Sequence, residues 1–160
     1  MTTAVCPGSF DPVTLGHLDV VRRARSMFDR VVVGVARNAG KTPLLDLDTR
    51  VALARAALAD VDGVEVAPVP GLLVDFCREV GAAAIVKGLR GGADYDAEVP
   101  MALMNRHLVG IETIFVTGDP ALAHIASSLV KDVARYGGDV SDLVPAPVLP
   151  ALAGAFGRST

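Results

Sequence analysis

The chain has 160 residues, 51% of them hydrophobic and 21% charged, with a formal net charge of −3. That is enough chain to bury a core without disulfide or metal staples, and too apolar to remain disordered. The balance excludes a partner drawn in by bulk positive charge, so neither nucleic acid nor an anionic membrane is expected.

The elements follow one another as short apolar strands separated by helix-period segments. "AVC" near the start reads as a first strand, followed by a helix whose stripe is Leu18, Val21, Ala24 and Phe28, with Arg22, Arg23 and Arg25 off it. "VVVGVA" at 31–36 is a second strand, and Asp48 is placed to cap a helix running to about Leu58. "VEVAPV" at 64–69 is a third strand, and Leu72–Val80 a helix. "AAIVKG" at 83–88 is a fourth strand, followed by a long helix over Asp94–Leu108 that must hold Pro100 near a kink or in its first turns. "TIFVT" at 113–117 is the fifth strand, and "SSLVKDVARY" at 127–136 a helix that stops at Gly137-Gly138. The tail reads as a loop and a short apolar helix. Several strands are continuously apolar, as in a sheet covered on both faces. Alternation of strand and helix predicts an α/β, three-layer domain with a mainly parallel sheet, one domain over 1–160. Cys6 and Cys77 lie in apolar stretches and read as buried thiols of a reducing compartment. With no leader sequence and no run long enough to span a bilayer, a cytoplasmic protein is expected.

In such a sheet ligands bind past the carboxyl ends of the strands, so the turns found there carry the chemistry. After the first strand comes "PGSFDPVTLGH", in which Thr14 is placed to cap the next helix and His17 falls in its first turn. Free amides and the helix dipole favour an anion there. Taken alone, the stretch is equally a turn followed by a surface histidine. After the second strand, "RNAGKTPLL" imitates a phosphate-binding P-loop but fails it. The position that must be glycine is Val35, Gly34 is one residue too far, and Pro43 follows at once. Lys41 stays a candidate phosphate contact. After the fourth strand, Lys87-Gly88-Leu89-Arg90-Gly91-Gly92 sets two cations in a glycine-rich turn, with Glu98 placed to hold Arg90 or meet a ribose. Ser127 and Ser128 open the helix that carries Lys131, giving either a second phosphate seat or ordinary capping. Three such features at strand ends and one at a helix start argue together for a polyphosphate ligand.

These residues resemble a known family. "PGSFDPVTLGHLDVVRRA", "KGLRGGADYDAE", "MNRHL" and "SSLVKDVARYGGDVS" are similar to phosphopantetheine adenylyltransferase of the actinobacterial type, over about Ala4 to Leu149. "TLGH" alone marks the wider nucleotidyltransferase superfamily with its His/Thr-x-Gly-His motif. The resemblance implies a Rossmann-like nucleotidyltransferase fold with a five-stranded parallel sheet. It also implies transfer of the adenylyl group of ATP to 4′-phosphopantetheine, giving dephospho-coenzyme A and pyrophosphate. Mg²⁺ is the implied cofactor, held mainly by phosphates, and feedback by coenzyme A and a homohexamer are implied as well. Of the residues present, His17, Lys41 and Arg90 are the implied catalytic groups, and Ser9, Lys41, Leu73 and Lys87 would contact phosphopantetheine. ATP would meet Ser9, Phe10, His17, Gly88, Leu89, Arg90 and Glu98, then Leu122, Ala123, His124, Ile125, Ala126, Ser127 and Ser128. Ala97 and Ala126 replace an aromatic and a serine of the family pattern, and "GDPALAH" lacks the usual aromatics, which predicts a higher ATP KM with the reaction retained. Ser9 for threonine and Lys87 for arginine keep hydroxyl and charge. Two rivals stand beside this reading: a sister nucleotidyltransferase with another phosphate acceptor, and a non-catalytic nucleotide- or coenzyme A-binding regulator.

Overall fold

In the computed structural model, which describes residues 1–159, the five β-branched runs form β1 (Thr3–Gly8), β2 (Arg30–Ala36), β3 (Val64–Val69), β4 (Ala84–Leu89) and β5 (Glu112–Thr117). The helices are α1 (Leu15–Met27), α2 (Leu47–Ala57), α3 (Leu73–Glu79), α4 (Gly92–Val109), α5 (Ser127–Arg135) and α6 (Val148–Ala155), with a 3₁₀ turn at Pro120–Leu122. All strand pairs are parallel, in the order β3-β2-β1-β4-β5. The order reverses at β1, where the chain leaves β3 and returns on the far side as β4. The crevice between β1 and β4 is therefore the place where two diverging sets of turns leave room for a ligand.

Alternation along the strands sends side chains to two buried layers. Ala4 and Cys6 of β1 and Val31, Val33 and Val35 of β2 face one core, with α1, α2, α5 and α6 over it. Val5, Val32 and Ile85 face the other, against Val74, Phe76 and Cys77 of α3. Both cysteines are free and buried; burial pushes the Cys6 thiol up to about 12 and the Cys77 thiol to about 11, so neither is reactive. Gly34 of β2 has a packing reason: a Cβ there would come within 2.9 Å of Val69 and 3.3 Å of Phe76. Among the described residues no helix is long and apolar enough to cross a membrane.

Two boundaries differ from expectation. Asp46, not Asp48, caps α2, its carboxylate accepting the Thr49 N–H at 2.7 Å. The chain turns helical at Leu47, so Asp48 falls in the first turn, where it meets the positive end of the helix instead. The helix after β4 starts two residues early, at Gly92. That leaves Pro100 mid-helix, where it forgoes one backbone bond without ending the helix. The start of α5 at Ser127 is where the sequence places it, and of the two readings of its serines the capping one fails: Ala126 is the N-cap and no side chain bonds there. The predicted stop at the other end holds. Gly137 takes φ +82°, and the Gly137 and Gly138 amides donate to Ala134 and Val133 carbonyls at 3.0 Å each.

Gly34→Val forces a branched side chain into this contact, and overpacking of that kind costs about 1–3 kcal/mol. A urea midpoint that falls without a change in slope is the expected result; an unchanged midpoint would mean that α3 is free to move off the sheet.

Candidate active site

A cavity of about 940 Å³ opens at the carboxyl ends of β1 and β4, walled by the β1–α1, β2–α2 and β4–α4 turns and by the start of α5. Its floor is the turn after β1. Thr14 takes an extended conformation and caps α1, its hydroxyl oxygen accepting the His17 N–H at 3.3 Å. The imidazole returns the bond: the Thr14 N–H donates to His17 Nδ1 at 3.0 Å. His17 thus fills the role a glutamate or glutamine plays in a capping box. Because a backbone N–H can only donate, Nδ1 is the acceptor nitrogen, and the proton of the neutral ring sits on Nε2.

Neutrality is enforced by surroundings. Burial, then the charges of Arg90 and Lys87, push the His17 pKa down to about 4. The ring also meets Phe10 edge-on, centroids 4.8 Å apart. Phe10 itself holds φ +49°, a conformation few non-glycine residues adopt. Its ring lies where a Cβ on Gly8 would be, 3.1 Å away. Gly8 thus makes room for Phe10, in addition to any approach of backbone to ligand.

Two cations project from the end of β4 and the turn after it, Lys87 and Arg90, and each has a carboxylate partner on α4. Arg90 pairs with Asp94, Nε and Nη2 each 3.0 Å from a carboxylate oxygen, while Nη1 donates to the Ile125 carbonyl at 3.1 Å. Lys87 pairs with Glu98 at 2.8 Å. Glu98 therefore holds Lys87, not Arg90. The early start of α4 brings Asp94 under Arg90, and Glu98, one turn on, faces β4. Arg90 also links the β4 turn to the segment that leads into α5.

Most of the residues singled out from sequence come together here. Ser9, Phe10, His17, Lys41, Lys87, Gly88, Leu89, Arg90 and Glu98 line the cavity, as do Leu122, Ala123, Ile125, Ala126, Ser127 and Ser128. Leu73 and His124 do not. Leu73 opens α3 and packs against the second core layer, and His124 is exposed. The Ser127 hydroxyl donates to the Pro12 carbonyl at 2.9 Å, tying α5 to the β1 turn. Gly88 has a steric role too, since a Cβ there would collide with Val20 of α1.

Among the charged residues of this cavity that sequence reasoning missed are Asp11, Arg50, Asp94 and Asp19. Asp11 accepts the Leu44 and Leu45 N–H groups at 2.9 Å each and the Lys131 ammonium at 2.9 Å. Arg50, buried, donates to the carbonyls of Ser9 at 2.8 Å, Ala36 at 3.0 Å and Leu45 at 3.1 Å. Asp94 is the Arg90 partner. Asp19 accepts the Asp119 N–H at 2.8 Å and so fixes the turn after β5. Asp11 lies inside a stretch already marked as special and carried a signal; Arg50 reads as one more charge on a helix and carried none.

A neutral N–H donor, the cations Lys41, Arg50, Lys87, Arg90 and Lys131, and free helical amides around one cavity make a site for a polyanion. Known proteins agree. The cytidylyltransferase-like family model matches residues 5–133. The phosphopantetheine adenylyltransferase of Bifidobacterium longum (strain DJO10A) is 57% identical over 158 residues, 98% of this chain and 95% of that one. Its counterpart in Nocardioides sp. (strain ATCC BAA-499 / JS614) is 56% identical over 148 residues, 92% of this chain and 93% of that one. Among solved structures, "a Putative Nicotinate-nucleotide Adenylyltransferase from Vibrio parahaemolyticus" superposes with a TM-score of 0.66 at 19% identity, covering 100% of this chain and 98% of that one, a likeness of fold. A matching family model over most of the chain and near-full-length relatives above half identity place it: the chain belongs to the phosphopantetheine adenylyltransferase family, within the cytidylyltransferase-like group.

Proposed function

We propose that the protein transfers the adenylyl group of ATP to 4′-phosphopantetheine, giving dephospho-coenzyme A and pyrophosphate. The observation that carries this reading is His17, a neutral donor held by a cap at a helix start, with Lys41, Lys87 and Arg90 on the same cavity. A phosphate oxygen of phosphopantetheine attacks the α-phosphorus of ATP, the bond from that phosphorus to the bridging α–β oxygen breaks, and pyrophosphate leaves. The acceptor phosphate is already a nucleophile, so no covalent intermediate is required. The protein's task is alignment and stabilisation of charge.

In this mechanism His17 Nε2–H donates to an α-phosphoryl oxygen and strengthens as charge builds there. Lys41, on the β2–α2 loop, approaches the reacting phosphates and the acceptor. Lys87 exchanges Glu98 for the phosphopantetheine phosphate. Ser9 and Phe10 sit where the two substrates meet; Leu73, packed in the second core layer, takes no part in this reading. Gly88, Leu89, Arg90 and Glu98, with the segment Leu122–Ser128, take ATP. Mg²⁺ enters as part of the nucleotide substrate. A hard cation seeks oxygen ligands, which a triphosphate supplies. Among the described residues no three of His, Cys, Asp and Glu come together as a metal site.

A homohexamer is part of the same proposal. Met101, Leu103, Met104 and Leu108 of α4 stand about half exposed or more, and Ile114 of the edge strand β5 is exposed beside them. Exposed apolar side chains gathered on one helix and the strand next to it point to a contact surface. Feedback by coenzyme A, which shares the pantetheine arm, would act in the same cavity, and a cytoplasmic location fits a reaction between soluble substrates.

Incubation with ATP, Mg²⁺ and 4′-phosphopantetheine should release pyrophosphate. A substrate panel with other phosphate acceptors and with CTP separates the sister nucleotidyltransferase, and no pyrophosphate at high enzyme concentration would mean a regulator. His17→Ala should lower turnover by roughly 10²-fold with little change in phosphopantetheine binding; near-normal turnover would remove His17 from the chemistry. A His17 pKa near 4 in the folded chain against 6.5 as its ordinary value means that the unfolded state binds the extra proton between those limits. Stability is then full above pH 6.5 and declines as pH falls toward 4, by up to about 3 kcal/mol. His17→Gln keeps a capping-box acceptor but cannot titrate, so its denaturation midpoint should be flatter over that window; parallel slopes would contradict the burial of the ring. Light scattering should find a hexamer, and Met104→Glu should shift it to smaller species; a monomeric parent chain would refute the apolar face as an interface.

A further inference from the structure

The cavity holds two buried charged residues to which the mechanism assigns nothing, Asp11 (5% exposed) and Arg50 (3% exposed). Among the described residues they do not pair with each other. Both turn instead to backbone, and to the two ends of one segment. Arg50 binds the Ala36 carbonyl, where β2 ends, and the Leu45 carbonyl, where α2 is about to begin. Asp11 binds the Leu44 and Leu45 amides. Each is also fixed to the turn after β1: Asp11 belongs to it, and Arg50 holds the Ser9 carbonyl. Burial by itself would raise the Asp11 pKa; the Leu45 and Leu44 amides and the Lys131 ammonium more than offset this and keep the carboxylate ionised.

Between these anchored ends runs an exposed span, 37–43. Its own bonds are local: the Lys41 N–H donates to the Asn38 carbonyl at 3.1 Å and the Gly40 N–H to Asn38 Oδ1 at 3.0 Å. The span carries Lys41. Its position relative to Ser9 and His17 is therefore set by what holds its ends. Burying two charges is a poor way to stabilise a fold, since well-packed apolar residues often serve as well or better. Geometry explains them better. An amide or carbonyl gripped by a charged group is held more tightly than by a neutral one.

We propose that Asp11 and Arg50 form a clasp that positions Lys41 against the β1 turn, making them positioning residues for the transfer step. The inference rests on the reading of Lys41 as a group that meets the reacting phosphates. Lys41 meets the acceptor as well as the reacting phosphates, so loss of the clasp shows in turnover and in the KM for phosphopantetheine, while the KM for ATP changes little. A misplacement of about 1 Å costs on the order of 10²-fold in rate.

The test is a double-mutant cycle in steady-state pyrophosphate release with both substrates, each variant checked by its thermal midpoint. Asp11→Asn keeps the shape but replaces one gripping oxygen with an amide and drops the Lys131 ion pair. It should lower kcat about 10- to 100-fold, with the KM for ATP changed less than about three-fold. In a Lys41→Ala background the same substitution should cost less than about two-fold, because the group it positions is already gone. Losses that multiply in full would overturn the clasp, as would an Asp11→Asn enzyme of normal turnover. Normal turnover in Lys41→Ala alone would overturn the role of Lys41 instead, and with it the reason for the clasp. Arg50→Lys keeps the charge without the fork and repeats the cycle where Asp11→Asn does not fold. Hydrogen exchange on the unaltered protein gives a reading independent of any variant. The Leu44 and Leu45 amides should exchange as slowly as those of β2, and those of 39–42 at least 100-fold faster; uniform exchange across 37–45 would overturn the fixed ends.

Discussion

All five strands run parallel, and from that constraint the rest follows. A parallel sheet sends every strand-to-helix turn to one edge, so residues far apart in the chain are delivered to one place. The reversal of strand order at β1 then opens a crevice at that edge between β1 and β4. The sheet needs apolar cover on both faces to bury its strands, and that cover is supplied by the helices whose starts ring the crevice. The site is thus a consequence of how the core closes. Gly34 and Gly88 show the same thing at close range, since each removes a side chain so that a covering element can approach the sheet.

Charge at this edge is arranged in self-satisfied pairs. Lys87 rests on Glu98, Arg90 on Asp94 and Lys131 on Asp11, each within about 3 Å. Without such partners, three cations around one crevice would repel one another and depress the stability of the edge. A phosphate carries more charge than a carboxylate and offers more oxygens, so it can take a lysine or arginine from its partner. In the proposed reaction the carboxylates on α4 would act as place-holders that keep the cations at the crevice until phosphate takes them. Arg90 also shows how the turns communicate: its guanidinium spans Asp94 and the Ile125 carbonyl, so whatever moves it moves the entry to α5.

The order of strands and helices was legible because β-branched runs and a helical stripe are local signals. The five strand positions stand within a residue or two of those read from sequence, and the Thr14 cap and Gly137 stop are where their residue types place them. The edge of the sheet was legible too, since the turns after β1, β2 and β4 each held a glycine or cation out of keeping with a bare connection. What sequence could not show is which charges meet. Lys131 lies 120 positions from Asp11, and Arg50 lies 41 from Ser9. Nothing in either neighbourhood announces the other. The Arg90–Asp94 and Lys87–Glu98 pairs turned on a two-residue shift in where α4 begins, which is the least certain thing a sequence reveals. Ser127 is the same kind of case: a hydroxyl at a helix start invites the reading of a cap, but the β1 turn lies closer and takes its hydrogen bond.

In the proposed transfer, the protonation of His17 decides what the crevice can do for the reaction. An imidazolium would bind polyphosphate strongly before anything happens and gain comparatively little as the reaction proceeds. A neutral N–H contributes less to the ground state, and its hydrogen bond strengthens as charge gathers on the phosphoryl oxygens. That difference between ground state and transition state is what accelerates a step. Burial and two neighbouring cations keep the ring neutral, and the Thr14 amide, by occupying Nδ1, leaves the proton on Nε2. The same backbone bond also completes the cap of α1. Helix initiation and the chemistry of the ring are therefore one interaction, and a substitution that frees Nδ1 would loosen the helix start and scramble the tautomer together.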